Sequence, residues 1–334
     1  MPCRYPPFLP VVPIMTASSH HNRLEHFPIS FFATVMGTAG LAIAWQKAHA
    51  VLGAPQLIGQ ALAWWALALF ALVVLIYAAK WAGHPAAVRA EIGHPVKLNF
   101  FAASSISLLL LAVAFLAAMP VMANGFWLVG AALHLAFTLY VMSSWIHHTH
   151  YQIQHANPAW FIPVVGNVIV PVAGVNFAPA ELSWFFFSIG IVFWLALFTI
   201  VLYRLFFHEP LPARLTPMLF ILIAPPAVGF IAYIKLAGEL DAFARILYYT
   251  ALFLTLLLAS NAMRFFRLPF FLSAWAYSFP LAAITIATLA MTEHLGGAFA
   301  SLSLVLLGVL SVVLVLLTVR TFLAVGRGEI CQPE

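Results

Sequence analysis

Long apolar runs separated by short polar breaks dominate this chain, and their length identifies the solvent that the folded protein meets. Such runs lie at 28–46, 57–79, 96–119, 124–146, 160–177, 181–206, 214–235, 241–265, 270–292 and 297–322. A helix rises about 1.5 Å per residue, so about twenty apolar residues cross a hydrocarbon layer about 30 Å thick. The pattern predicts an all-α integral membrane protein of ten transmembrane helices, because helices keep their backbone polar groups satisfied in lipid. The fifth run is short and carries Asn167, Asn176, Pro163 and Pro171. By hydropathy alone it reads equally well as a re-entrant segment; charge makes it a span.

With a cytoplasmic N-terminus and ten spans, the inner segments hold Arg4, Arg23, Lys80, Arg89, Lys97, Arg204, Arg214, Arg264, Arg267, Arg320 and Arg327, and the outer ones only Lys47, Lys235 and Arg245. Bases concentrate on the cytoplasmic side of membrane proteins. Dropping the fifth span would move Arg204, Arg214, Arg264 and Arg267 outside, so both termini are expected in the cytoplasm. Residues 1–22, with Pro2, Pro6, Pro7, Pro10 and Pro13, read as a disordered N-terminal tail rather than a cleaved signal peptide. Residues 23–325 form the membrane domain and 326–334 a C-terminal tail.

A second pattern separates odd from even runs. The even runs contain no proline, whereas the fifth has Pro163 and Pro171, the seventh Pro217, Pro225 and Pro226, and the ninth Pro280. Proline removes an amide donor and displaces the carbonyl four residues back, so Pro171 is expected to free the carbonyl of Asn167, and Pro280 that of Ala276. The first run offers Thr34, Gly37, Thr38 and Gly40, and the third Asn99, Ser104, Ser105 and Ser107. Small, polar and kinked residues suit helix contacts or a water-filled path. We expect five odd helices in an inner ring around a central pore, with five straighter even helices outside.

Composition removes several function classes. Of 334 residues 64% are apolar and only 7% charged, which excludes a sizeable soluble domain. The net charge of +5 is spread singly along the chain, so no nucleic-acid partner is expected. Cys3 and Cys331 lie in the tails and staple no core. No nucleophile with base and orienting partner, phosphate loop or metal motif is present, so neither an enzyme nor a bound cofactor is expected. The run HHTHYQIQH places His147, His148, His150 and His155 close together, but no cysteine or carboxylate joins them, and it reads as an interfacial loop rather than a metal site.

Five segments on the odd runs resemble one known family in the right order. These are His26-Phe27-Pro28 with Gly37 and Gly40; His94-Pro95; NPAWFIPVVGNVIVPVAG from Asn157 to Gly174; TPMLFILIAPPAVGF from Thr216 to Phe230; and SAWAYSFPLAAITIATLA from Ser273 to Ala290. They are similar to the tellurite-resistance and C4-dicarboxylate transporter family, which includes the plant slow-type anion channels. The resemblance implies a homotrimer in a bacterial inner membrane, each protomer carrying its own pore built from five helical hairpins in quasi-fivefold array. It also implies that Phe279 plugs the pore at mid-membrane.

The residues point to Phe279 as well. Ala276 and Ala283 flank it at i−3 and i+4, leaving a ring among small neighbours beside Pro280. With Gly37, Gly40, Ser107, Asn167, Pro171, Pro225 and Pro226, these are the expected kink and pore-lining residues. No carboxylate lies inside a run; Glu181 and Glu293 sit at outer ends, and His134, on an even run, reads as a packing residue. This fits passive conduction better than proton coupling. Arg23, Lys97, Arg214 and Arg267, near the starts of odd helices, are the expected anion-gathering vestibule. The sequence leaves open a gated channel or channel-like uniporter for small anions (chloride, nitrate, malate or tellurite) and a secondary carrier for C4-dicarboxylates or tellurite.

Overall fold

The computed structural model describes residues 23–147 and 151–332, so the N-terminal tail and the pair His148 and His150 lie outside the described residues. Among the described residues, nine helical runs are long and apolar enough to cross a membrane: Ile29–Leu52, Gln56–Gly83, Lys97–Phe115, Pro120–His147, Ala180–Phe207, Thr216–Ala237, Ala242–Ala259, Leu272–Leu295 and Ala298–Gly326. A shorter apolar segment, Pro158–Gly174, occupies the place of the fifth expected span. Counting it as the fifth, burial separates the two sets. In the first, third, seventh and ninth spans at least 67% of the most apolar stretch is buried, and in the even spans at most 39%.

The inner spans close on one another. The first packs on the third, the third on the fifth, the fifth on the seventh, the seventh on the ninth, and the ninth back on the first. The even helices cover this ring and expose large apolar side chains such as Trp64, Leu128, Phe193, Phe253 and Leu316. In water such a surface would aggregate; in lipid it is the expected exterior.

The odd spans depart from a regular helix, but not in the way their prolines predict. Each starts as a 3-10 stretch and continues as α-helix: Ile29–Phe31 into Phe32–Leu52, Lys97–Phe101 into Ala102–Phe115, Thr216–Ile223 into Ala224–Ala237, and Leu272–Tyr277 into Ser278–Leu295. The fifth alternates, Pro158–Trp160 and Gly166–Ile169 being 3-10, and Phe161–Val165 and Val170–Gly174 α-helical. Pro171, Pro225, Pro226 and Pro280 fall in the first turn of the α-helical parts. First-turn amides have no intrahelical partner, so a proline there costs little and bends nothing. The carbonyl of Asn167 is not free, because it accepts the Val170 amide. The first and third spans share this change of winding without any proline, so the prolines mark the transition rather than cause it.

Close approach between the first and ninth spans depends on Gly37. A methyl group on its Cα would overlap the Ser278 side chain, which is itself buried and donates to the Trp275 carbonyl at 2.6 Å. Ser278 sits at the seam one residue before Phe279. Gly37→Val is expected to force the two spans apart and to reduce the yield of folded protein, measured as the monodisperse fraction after detergent extraction; an unchanged fraction would show that the seam is pliable.

The first and last described segments share one side. Lys80 donates to the Phe27 carbonyl at 2.9 Å, and Arg23 reaches within 3.0 Å of where a Cβ on Gly328 would stand. Gly328, at φ 68°, turns the chain after the last helix so that Glu329–Gln332 fold back toward Glu25 and His26. The C-terminal tail is thus packed onto the domain along these residues.

Candidate functional site

A cavity of about 70 Å³ lies on the ring axis, and every residue that borders it belongs to an odd span. Ala33 and Met36 come from the first, Phe100 and Ile106 from the third, Phe161 and Val165 from the fifth, Ala224 and Pro225 from the seventh, and Ala276, Phe279 and Pro280 from the ninth. The Phe279 ring is half-buried and borders this space, with its Cδ2 3.5 Å from where a Cβ on Gly40 would stand. Gly40 therefore removes bulk beside the ring without bordering the cavity.

The wall is almost wholly apolar, with Ser30 and Ser273 its hydroxyl-bearing residues, and the expected polar lining residues Ser107 and Asn167 are not part of it. Several hydroxyls of the odd spans turn back on their own helices: Thr38 donates to the Thr34 carbonyl, Thr285 to that of Leu281 and Thr288 to that of Ile284. Ser107 donates to the Ala103 carbonyl at 2.7 Å and lies fully buried between helices. A hydroxyl with a carbonyl one turn back satisfies itself, so it does not face the lumen. Gly37, Ser107, Asn167, Pro171, Pro226 and Ala283 do not border the cavity.

Asn167 instead faces outward toward the fourth span. Its amide donates to Val164 at 2.7 Å and to the Thr138 hydroxyl at 2.9 Å, and Thr138 also donates to the Pro163 carbonyl. His134, one turn earlier on the same helix, bonds through Nδ1 to Ser105 of the third span at 2.9 Å. Because the Ser105 hydroxyl already donates to Ala102, it accepts from His134, so Nδ1 carries the proton. Gly166 makes room for this ring, since a methyl group there would overlap it. The fourth span is thereby fastened to two inner spans by polar groups lying behind the cavity wall.

The cavity opens to a vestibule of about 800 Å³, with Ser30, Phe100, Leu272 and Ser273 bordering both. Lys97 and Arg214 border the vestibule together with His26, His94, Lys80, Glu25 and Glu91. Ser273 donates to the Arg214 carbonyl at 2.6 Å, tying the loop before the seventh span to the start of the ninth. Arg23 and Arg267 do not border it: Arg23 lies beside the C-terminal turn, and Arg267 follows the short helix Ala262–Phe266. The tail contributes Cys331, whose thiol pKa is pushed up by burial against the nearby Arg23 and Lys80 charges.

One element of this wall was not legible in the residues singled out from sequence. Lys80, 1% exposed, pairs with Glu91 at 3.0 Å, and Tyr77 donates to the same carboxylate at 2.7 Å. The separation of eleven residues spans the elbow between the second span and the short helix Pro85–Gly93, so helical spacing gives no hint of it. Among the described residues of the histidine run, His147 bonds the Ser143 carbonyl and His155 accepts the Gln152 amide, and no group of metal-ligating side chains assembles.

The profile of one family, the voltage-dependent anion channels of the SLAC1 type, matches residues 26–322, which take in all the spans around this cavity. The chain belongs to the SLAC1 family. Among its relatives, the S-type anion channel SLAH2 of Arabidopsis thaliana is 32% identical over 284 residues, covering 82% of this chain and 54% of SLAH2. The tellurite resistance protein TehA homolog of Haemophilus influenzae is 25% identical over 313 residues, 90% of this chain and 92% of that protein. An uncharacterized transporter of Methanocaldococcus jannaschii is 27% identical over 289 residues, 79% of this chain and 84% of its own length. The chain spans about half the length of the plant SLAC1-family relative it matches, and most of the archaeal and bacterial ones.

Proposed function

We propose that the protein is a gated anion channel in which each protomer conducts small anions along the axis of its inner five spans and Phe279 closes the path. The observation that carries this reading is the axial cavity, bordered by odd spans alone, narrowed by Phe279 and opening onto a vestibule with Lys97 and Arg214. An apolar constriction blocks ions by excluding their hydration water, and Lys97 and Arg214 supply local positive charge to a mouth that Glu25, Glu91 and Glu329 also border. No charged side chain borders the cavity, and Ser30 and Ser273 are the hydroxyls on its otherwise apolar wall, which favours a pathway that anions leave readily.

The finer expectations belong to the same reading. Both termini face the cytoplasm of a bacterial inner membrane, as the distribution of bases favours. The apolar faces of the even helices meet lipid and, in a homotrimer, neighbouring protomers. The protein carries no enzymatic activity. The deciding experiment is current through the purified protein in a planar bilayer, with chloride, nitrate and malate in turn. Discrete anion-selective conductance steps support a channel; exchange of radiolabelled malate with no conductance under any gating condition would overturn it in favour of a carrier.

Neutralising the mouth gives a further check. Lys97→Gln with Arg214→Gln is expected to lower conductance most at low ionic strength, where the Debye length is about 30 Å at 0.01 M salt, and little at 1 M, where it is about 3 Å. Equal conductance at both salt concentrations in variant and wild type would reduce the two bases to markers of topology.

A further inference from the structure

Arg204 stands three residues before the end of the sixth span, on the inward stripe that runs through Gly190, Trp194, Leu197 and Val201. It is 4% exposed, and neither its Nε nor its Nη1 has a hydrogen-bond partner. Lys80 shows what this fold does with a buried cation when a carboxylate is at hand, since its ammonium is held by Glu91 and by the Phe27 carbonyl. Nothing comparable meets Arg204 among the described residues. The nearest acid in the sequence, Glu209, lies exposed in the loop beyond the helix. A guanidinium stays charged at any physiological pH, and a buried one without a counter-charge is costly.

Depth and surroundings specify the missing partner. Three residues of helix correspond to about 4.5 Å, so Arg204 lies just inside the end of the span, at the level of lipid headgroups. On either side of it the span turns Ile200, Tyr203, Phe206 and Phe207 outward, all substantially exposed. Aromatic side chains at this depth are the usual companions of lipid headgroups. The planar fork of a guanidinium matches the paired oxygens of a phosphate. We propose that Arg204 anchors the phosphate of an anionic phospholipid, its acyl chains lying along the Ile200, Tyr203 and Phe207 side of the sixth span. This site is separate from the axial cavity, whose bordering residues do not include Arg204, and it stands whether the protein is a channel or a carrier.

The test uses the purified full chain in detergent, titrated in parallel with phosphatidylglycerol, phosphatidylcholine and inorganic phosphate, with retention read by native mass spectrometry and stabilisation by thermal unfolding. Wild type is expected to retain phosphatidylglycerol and to be stabilised by it more than by either alternative. Arg204→Gln should weaken that binding about tenfold or more, the effect of losing a charge-assisted hydrogen bond. Arg204→Lys should keep part of it, and Arg320→Gln, which removes an exposed base elsewhere, should bind as wild type does. Equal stabilisation by phosphatidylcholine would overturn the proposal, and so would equal stabilisation by inorganic phosphate, which would make this a site for free anions. Undiminished phosphatidylglycerol binding to Arg204→Gln would overturn it too. Should Arg204→Gln fail to fold, the wild-type comparison and Arg204→Lys decide the same question.

Discussion

Replacing Phe279 by Ala is expected to raise the anion current well above that of wild type while leaving selectivity and assembly unchanged. The ring borders the axial cavity and has small neighbours on its own helix, Ala276 and Ala283, and across from it Gly40. No charged side chain borders the cavity at this depth, so closure there is steric and apolar. Truncation to Ala opens the constriction without touching Pro280, which sits harmlessly in the first turn of Ser278–Leu295, or Ser278, whose hydroxyl holds the seam. Each 1.4 kcal/mol or so removed from the barrier multiplies the ion flux about tenfold. Phe279→Leu should fall between, because it leaves a smaller apolar plug. Single-channel recording on both variants decides the matter: a Phe279→Ala protein that assembles normally yet conducts no better than wild type would place the gate elsewhere. A variant that does not fold would make the ring a packing element, whose loss in soluble cores costs about 3–5 kcal/mol.

The division into buried and lipid-facing helices was legible because it has a compositional cause. Helices that wrap an axis need small residues and tolerate irregular winding, whereas helices that face lipid need neither, so Gly37, Gly40 and the proline positions pointed to the inner set. What the same residues do there was not legible. Whether Pro171 kinks a helix or opens one depends on where the winding changes from 3-10 to α, and the first and third spans show that this change needs no proline. The hydroxyls misled for a related reason. Thr38 and Ser107 look like candidates for a water-filled path in sequence, but a carbonyl one turn back is within reach on a helix, and each hydroxyl donates to one. Asn167 faces the fourth span because Thr138 supplies a partner twenty-nine residues away, a pairing set by packing alone. Of the four bases assigned to the mouth, Lys97 and Arg214 reach it. Arg23 and Arg267 lie in connecting segments, where side-chain direction follows the loop rather than any period.

Removing the Glu91 carboxylate is expected to destabilise the folded protein severely, and removing Lys80 with it should restore much of the loss. In the sequence Lys80 counts only as one of the inner-side bases and Glu91 carries no assignment, yet Lys80 is 1% exposed and Glu91 7%. Glu91 accepts from Lys80 at 3.0 Å and from Tyr77 at 2.7 Å, while Lys80 also holds the Phe27 carbonyl at 2.9 Å. The pair thereby ties the second span, the helix Pro85–Gly93 and the approach to the first span into one wall of the vestibule. In Glu91→Leu the ammonium keeps a single carbonyl, and the Tyr77 hydroxyl loses its acceptor. Breaking one partner of a buried pair typically costs about 3–5 kcal/mol, because an uncompensated charge remains. Glu91→Gln should cost less, since an amide oxygen still accepts from Tyr77, and Lys80→Met with Glu91→Leu should cost least because no charge is left buried. Thermal unfolding of wild type, Lys80→Met, Glu91→Leu and the double variant in one detergent forms a double-mutant cycle. Losses that simply add across the cycle would show that the two groups act independently, and the vestibule wall would then owe its position to apolar packing alone.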